Sequence, residues 1–187
     1  MKYNLVLLAT AILLSTMLAG SSCKKDNAPT TEEQLPPETQ TGANTFGCKV
    51  DGKIYTASGK GGLLSNQSMY YNITASDSSI NIGISNSKQN FNLNMAIKYT
   101  GSYGIYFMRK YDYRAIFQDN SSGSLPGNSN TYYTDSVHLG RLNVKFFNGT
   151  LNPVHPGNIL SGTFEMDAIN ANGKIIKISE GRFDIGY

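Results

Sequence analysis

The chain has 187 residues with 16 basic and 13 acidic side chains, a formal charge of +3 spread without a long single-sign run, so no nucleic acid partner is expected. Two cysteines and no tryptophan exclude a disulfide-framed scaffold, and the length suits one domain with an ordinary hydrophobic core.

Lys2 precedes an apolar run from Leu5 to Ala19, followed by Gly20, Ser21, Ser22 and Cys23. A basic start, an apolar core of about 15 residues and small residues before a cleavage point make a secretory signal peptide, and that core is shorter than the roughly 20 residues of a bilayer span. Residues 1–22 are therefore expected to be removed. Cys23 stands where the thiol of a lipoprotein is alkylated by diacylglycerol. Such boxes usually carry Leu three residues before the Cys; here that place holds Gly20, with Leu18 two residues further back, a spacing that the looser boxes of Bacteroidota-type lipoproteins accept. An ordinary secretory signal with an incidental Cys23 is the alternative. At about 0.8 kcal/mol per buried methylene, each palmitate-like chain contributes on the order of 10 kcal/mol, and two make a permanent membrane anchor.

Without Lys2 the balance falls to 15 basic against 13 acidic side chains. Residues 23–44 read as the lipidated Cys followed by a disordered linker, because Pro29, Pro36 and Pro37 stand among polar residues and Leu35 is the only large apolar one. As a flexible chain this stretch would span about 25 Å, and fully extended at most about 70 Å. Residues 45–187 are expected to form a single β domain without internal repeats. Cys48, left without a partner once Cys23 carries lipid, reads as a small buried hydrophobe within a strand.

Within the domain, apolar residues recur at every second position and turn dipeptides interrupt them, the pattern of an all-β protein. Phe46–Val50, Asp51-Gly52 and Lys53–Ala57 make a hairpin, because Asp-Gly supplies the positive φ values of a type I′ turn. Weaker candidates follow at 69–75 and 80–85. In 90–97, Phe91, Leu93, Met95 and Ile97 share one face and Asn90, Asn92 and Asn94 the other. Further strands are expected at 103–107, 111–117 and 131–137, with a long polar loop over 119–130. Leu142, Val144 and Phe146 alternate before Asn148-Gly149, and Phe164, Met166 and Ala168 before Asn172-Gly173. A closing strand covers 174–179 and 182–185, with Gly181 as a bulge. About ten short strands with one wet face predict an antiparallel two-sheet sandwich or a flattened barrel, with no long helix.

Leu35-Pro36-Pro37, Thr39 to Gly42, Asn44 to Cys48 and Asp51-Gly52-Lys53, together with Ser161 to Glu165, Gly173-Lys174 and Gly181 to Asp184, resemble the two ends of a family of uncharacterised Bacteroidota cell-envelope lipoproteins. The resemblance leaves 58–157 unmatched. It implies an envelope lipoprotein, assigns no reaction and supplies no catalytic residue.

Catalytic patterns are scarce. His138 and His155 are the only histidines, with no cluster of Cys, His and carboxylates at metal-ligand spacing around either, so neither metal nor cofactor is expected. Ser58 to Gly62 is glycine-rich but lacks phosphate-loop spacing, and reads as a flexible turn. Glu165 and Asp167 alternate with Phe164 and Met166 and fall on a solvent face; Glu180 and Asp184 are likewise read as solvated. Tyrosine is the one heavily used type. Tyr99, Tyr103, Tyr106, Tyr111 and Tyr113, with Arg109, Lys110 and Arg114, form the candidate recognition patch, weighed against plain packing of half-buried strands. Asp135-Ser136-Val137 resembles a short O-glycosylation motif of Bacteroidota-type envelope proteins, which would modify Ser136.

The resulting expectation is a non-enzymatic β domain held by N-terminal lipid in the cell envelope, on the outer membrane and either periplasmic or surface-exposed, which binds a glycan or a protein. The alternatives are an architectural component with a membrane-protein partner and, behind it, a hydrolase.

Overall fold

The computed structural model describes residues 34–59, 66–74, 78–109, 113–121, 130–149 and 157–186. The expected signal peptide, Cys23, Tyr111 and His155 lie outside them. Among the described residues there is no helix, so none is long and apolar enough to cross a membrane. Eleven strands run β1 (Thr45–Val50), β2 (Lys53–Ser58), β3 (Gln67–Thr74), β4 (Ser79–Asn86), β5 (Phe91–Lys98), β6 (Gly104–Met108), β7 (Ala115–Asp119), β8 (Thr131–Tyr133), β9 (Gly140–Phe147), β10 (Ile159–Asn170) and β11 (Ile175–Gly186). All belong to one antiparallel sheet that nearly closes into a barrel: nine follow the order β2-β1-β11-β10-β8-β7-β5-β4-β3, while β9 pairs with β10 and β6 with β9.

The alternation read from the sequence becomes the wall of that barrel. Ile80, Ile82 and Ile84 on β4 and Phe91, Leu93, Met95 and Ile97 on β5 are all buried, while Asn92 and Asn94 face outward. Phe91 lies at the centre of the aromatic packing, stacked on Phe46 and Phe117 with the ring of Tyr55 edge-on at 5.2 Å. Each such ring contributes about 1.5 to 3 kcal/mol by leaving water. The expected turn at Asp51-Gly52 is present, with φ of 48° and 85°. Cys48 is buried and its thiol is pushed up to about 12 by desolvation, which makes it unreactive packing.

The expected bulge sits in β11, but Gly181 is not the residue that bends. Glu180 takes the left-handed conformation at φ 53°, a cost of about 1 kcal/mol for a residue with a Cβ. Gly181 is needed for space, since a Cβ there would stand 2.6 Å from three atoms of the Phe164 ring. The bulge inverts the inward parity of the strand. Ile176 and Ile178 point to the core before it, Phe183 and Ile185 after it.

The barrel wall has a seam where strands meet without a ladder. β2 approaches β3 and β4, and side-chain amides bridge the gap: Thr56 N–H donates to Gln89 Oε1 at 2.8 Å, Thr56 C=O accepts from Asn86 Nδ2 at 2.7 Å, and Ser58 N–H donates to Gln67 Oε1 at 2.6 Å. These amides satisfy backbone groups that an open sheet edge would leave to solvent.

Two expectations change. The part of the expected linker within the described residues, 34–44, has a defined place against the sheet. Residues 35–43 cross the outside of β1 and β11, with Pro36 and Leu35 lying over Gly47 and Glu38 ion-paired with Lys145. The Asp184 carboxylate accepts hydrogen bonds from Thr39 Oγ1 (2.6 Å) and from the N–H groups of Gly42 (2.9 Å), Thr41 (3.0 Å) and Ala43 (3.1 Å). Asp184 is thus not a solvated carboxylate but a buried one, 1% exposed. The polar stretch is ordered because its backbone donors have a buried anion to meet, which apolar content alone does not reveal.

Candidate functional site

The sheet forks at β10. One edge of this strand pairs with β9 through 160–166 and then with β8 through Ile169 and Asn170; β6 adds to β9, and β7 adds to β8. Residues 134–139 cross from one branch to the other, and Arg109 N–H donates to Tyr113 C=O at 2.9 Å where β6 leads toward β7. Between these segments lies a cleft of about 650 Å³ lined by Arg109, Arg114, Tyr133, Thr134, Asp135, Ser136 and Leu139.

Each wall has a local cause. Thr134 is buried and closes the end of β8, its Oγ1 accepting from Ala115 N–H at 2.9 Å while its own N–H donates to Ala115 C=O at 3.0 Å. The strand expected over 131–137 stops at Tyr133 because Asp135 folds the chain into an Asx turn. Its Oδ1 accepts from Val137 N–H at 2.8 Å and His138 N–H at 2.6 Å, and the His138 ring Nδ1 lies 3.1 Å away. The His138 N–H bond, with smaller help from Val137 and the imidazole, holds the Asp135 carboxyl below its ordinary value against the opposing effect of burial. Ser136 and Val137 form the exposed tip of this turn, so the hydroxyl of Ser136 is accessible.

The guanidinium groups rest on rings. Arg114 lies over Tyr133 at 5.9 Å, and Arg109 and Arg141 lie over Phe107 at 5.7 and 5.8 Å. No acidic side chain pairs with Arg109 among the described residues.

The tyrosine patch is divided by the pleat of its strands. Tyr99 is buried, 7% exposed, with its ring edge-on to Phe147 at 5.4 Å, so it belongs to the core and leaves the recognition patch. Tyr106 is half-buried and its hydroxyl donates to Ser102 C=O, while Tyr113 is half-buried. The outward positions are instead Tyr103, Ile105 and Phe107, which form an exposed apolar stripe with Val137 and Leu139 nearby in the chain crossing to β9. Of the expected patch, Arg109 and Arg114 both line the cleft. Tyr133, Thr134, Asp135 and Leu139 were not legible as its partners, because no motif joins residues 20 or more positions away across a fork in a sheet.

The remaining polar groups give no catalytic constellation among the described residues. Glu165 and Asp167 are exposed as expected, with Glu165 3.8 Å from Arg141. Among the described residues, no hydroxyl is hydrogen-bonded to the second ring nitrogen of His138, and no three His, Cys, Asp or Glu side chains are grouped to hold a metal ion. No family model, no curated protein and no solved structure matches the chain.

Proposed function

We propose that this chain is a lipid-anchored cell-envelope protein whose barrel serves as a non-catalytic binding module, with the fork cleft as its binding site. The cleft supports this reading. It combines a volume ordinary for a small-molecule site with two guanidinium groups, an aromatic ring and an aliphatic wall, all placed by backbone hydrogen bonds in the strands and the Asx turn. The anchor is supported by the basic start, the apolar run and Cys23.

A specific observation favours the second reading, an architectural component with a membrane-protein partner. Ile105 and Tyr103 are each 59% exposed and Phe107 is 45% exposed, an uncovered apolar stripe along β6. Metabolic labelling with palmitate followed by mild detergent extraction tests both. Label in the wild type and none in Cys23→Ser is expected; an unlabelled wild type removes the anchor. A stoichiometric membrane protein lost on Ile105→Asp would favour the architectural reading. The same preparation examined by intact mass tests Ser136, where added hexoses absent from Ser136→Ala are expected and an unmodified mass removes the glycosylation.

A further inference from the structure

The apolar stripe on β6 shares a face of the sheet with the segment that leads into the barrel. Gly47, Arg182, Thr163, Asn143 and Ile105 are successive register partners on β1, β11, β10, β9 and β6. They form one row across the sheet, and four strand spacings put Ile105 about 19 Å from Gly47. Leu35 and Pro36 lie over Gly47 at one end of this row, where the Pro36 carbonyl accepts from Arg182 Nη1 at 3.3 Å, and Glu38 pairs with Lys145 further along it. A groove lined by Glu38, Arg182, Thr163, Asn143 and Ile105 follows the row, so these side chains lie on one outer face. At its far end stands the exposed stripe of Tyr103, Ile105 and Phe107.

The tether limits what this face can meet. Gln34 stands 11 positions after Cys23, so the chain between the expected acyl group and the sheet reaches at most about 40 Å. A bilayer holding that acyl group stays close to Pro36, and the stripe is exposed apolar surface on the same side. Confinement within so short a radius lets a weak contact form without high intrinsic affinity. The stripe suits the headgroup region of a bilayer, since it presents two rings and one aliphatic side chain. The Tyr103 hydroxyl donates to the Phe147 carbonyl at 3.2 Å, so seating that ring in lipid strands no donor. Arg141 and Lys145, beside the stripe on β9, are paired with Glu165 and Glu38, and the contact therefore needs no anionic lipid. Nor does it need Arg109, whose neighbours 110 and 112 lie outside the described residues.

Resting on the reading of Cys23 as a lipid anchor, we propose that the β6 stripe docks onto the phospholipid surface that holds the anchor, so that the barrel lies on the bilayer by this face instead of turning freely above it. The chain has no tryptophan, which makes an introduced one a clean reporter. The test places the full-length, lipid-modified Phe107→Trp protein, with no other protein present, in vesicles of dioleoylphosphatidylcholine or of phosphatidylcholine with brominated acyl chains. An indole seated about 5 to 10 Å into the headgroup and acyl boundary lies within reach of bromine, so its emission is expected to fall about twofold or more. Tyr70→Trp on β3, half exposed and five strands from β10 along the sheet, should lose less than about a tenth, because that position does not enter the boundary. Ile105→Asp added to Phe107→Trp should remove the quenching, and Ile105 is exposed, so the melt should not change.

Flotation with the vesicles reads the anchor independently of the stripe. A protein that floats without quenching, equal quenching of both tryptophans, quenching that requires phosphatidylglycerol or an unchanged Ile105→Asp variant would each overturn the docking while leaving the anchor in place. A protein that does not float would remove the anchor and the docking with it. Phe107→Trp emission that moves to the blue with rising protein density, and that bromine leaves untouched, would assign the stripe to a second copy of the chain instead.

Discussion

Asp184→Ala is expected to lower the thermal midpoint by about 6 to 12 °C, the shift that a loss of about 3 kcal/mol produces in a domain of this size. The carboxylate is the common acceptor for Thr39, Thr41, Gly42 and Ala43, and removing it strands three backbone N–H groups in a partly buried position. Asp184→Asn should recover little, because its NH₂ group would face donors. Limited proteolysis of the variant should open the chain between Thr39 and Asn44 while the strands resist. Wild-type melting together with wild-type proteolysis would show that this crossing segment does not contribute to stability.

The same site sets an acid dependence. Burial by itself would raise the Asp184 pKa, but the Thr39 hydroxyl and the N–H groups of Ala43, Thr41 and Gly42 outweigh it and hold the carboxyl below its ordinary value. A lowered folded-state value means that the ionised form stabilises the fold fully above the unfolded-chain value of about 3.9, and that this contribution is lost as the pH falls through the folded-state value. Wild-type stability should therefore decline below about pH 4 more steeply than that of Asp184→Asn. Parallel acid melts of the two proteins would contradict this.

The second large effect is Gly162→Ala. A Cβ on Gly162 would overlap the Asn143 carbonyl oxygen on β9, at the point where the β9–β10 register shifts, and would stand 3.0 Å from the Phe183 ring. Backbone cannot swing aside as a side chain can, so a cost of about 3 kcal/mol or more is expected. Gly83→Ala is the control. The three atoms nearest a Cβ there belong to the Tyr70 side chain, half exposed and able to rotate outward, so the change should cost under about 1 kcal/mol. Chemical denaturation of both variants reads the difference, and equal costs would mean that the β9–β10 pairing relaxes around an added methyl.

Which features the sequence disclosed follows from the range of the interactions that make them. The Asp51-Gly52 hairpin and the alternating faces of β5 and β10 depend on neighbours a few positions apart, and they were legible; in β9 the expected alternation holds at Leu142 and Val144 but the register shift there buries Phe147 in place of Phe146. That the strands form one nearly closed sheet depends on β10 pairing with β9, β8 and β11 together, which no local pattern encodes. Residues 34–44 looked like linker because their composition is polar, yet their anchor is one carboxylate more than 140 positions away. The tyrosines illustrate a different limit. Counting them singles out a segment, but only the pleat separates Tyr99, turned to the core, from Tyr103, turned to water.

The join between β2 and its neighbours bears on how the molecule comes apart. Along a long ladder such as β4–β5 the load is shared across eight residue pairs, whereas here Gln67 and the linked pair Asn86 and Gln89 act as separate stitches. Stitches fail one at a time. Thermal breathing should start along this seam, and deuterium should reach the amides of Thr56 and Ser58 well before those of Leu93 and Met95.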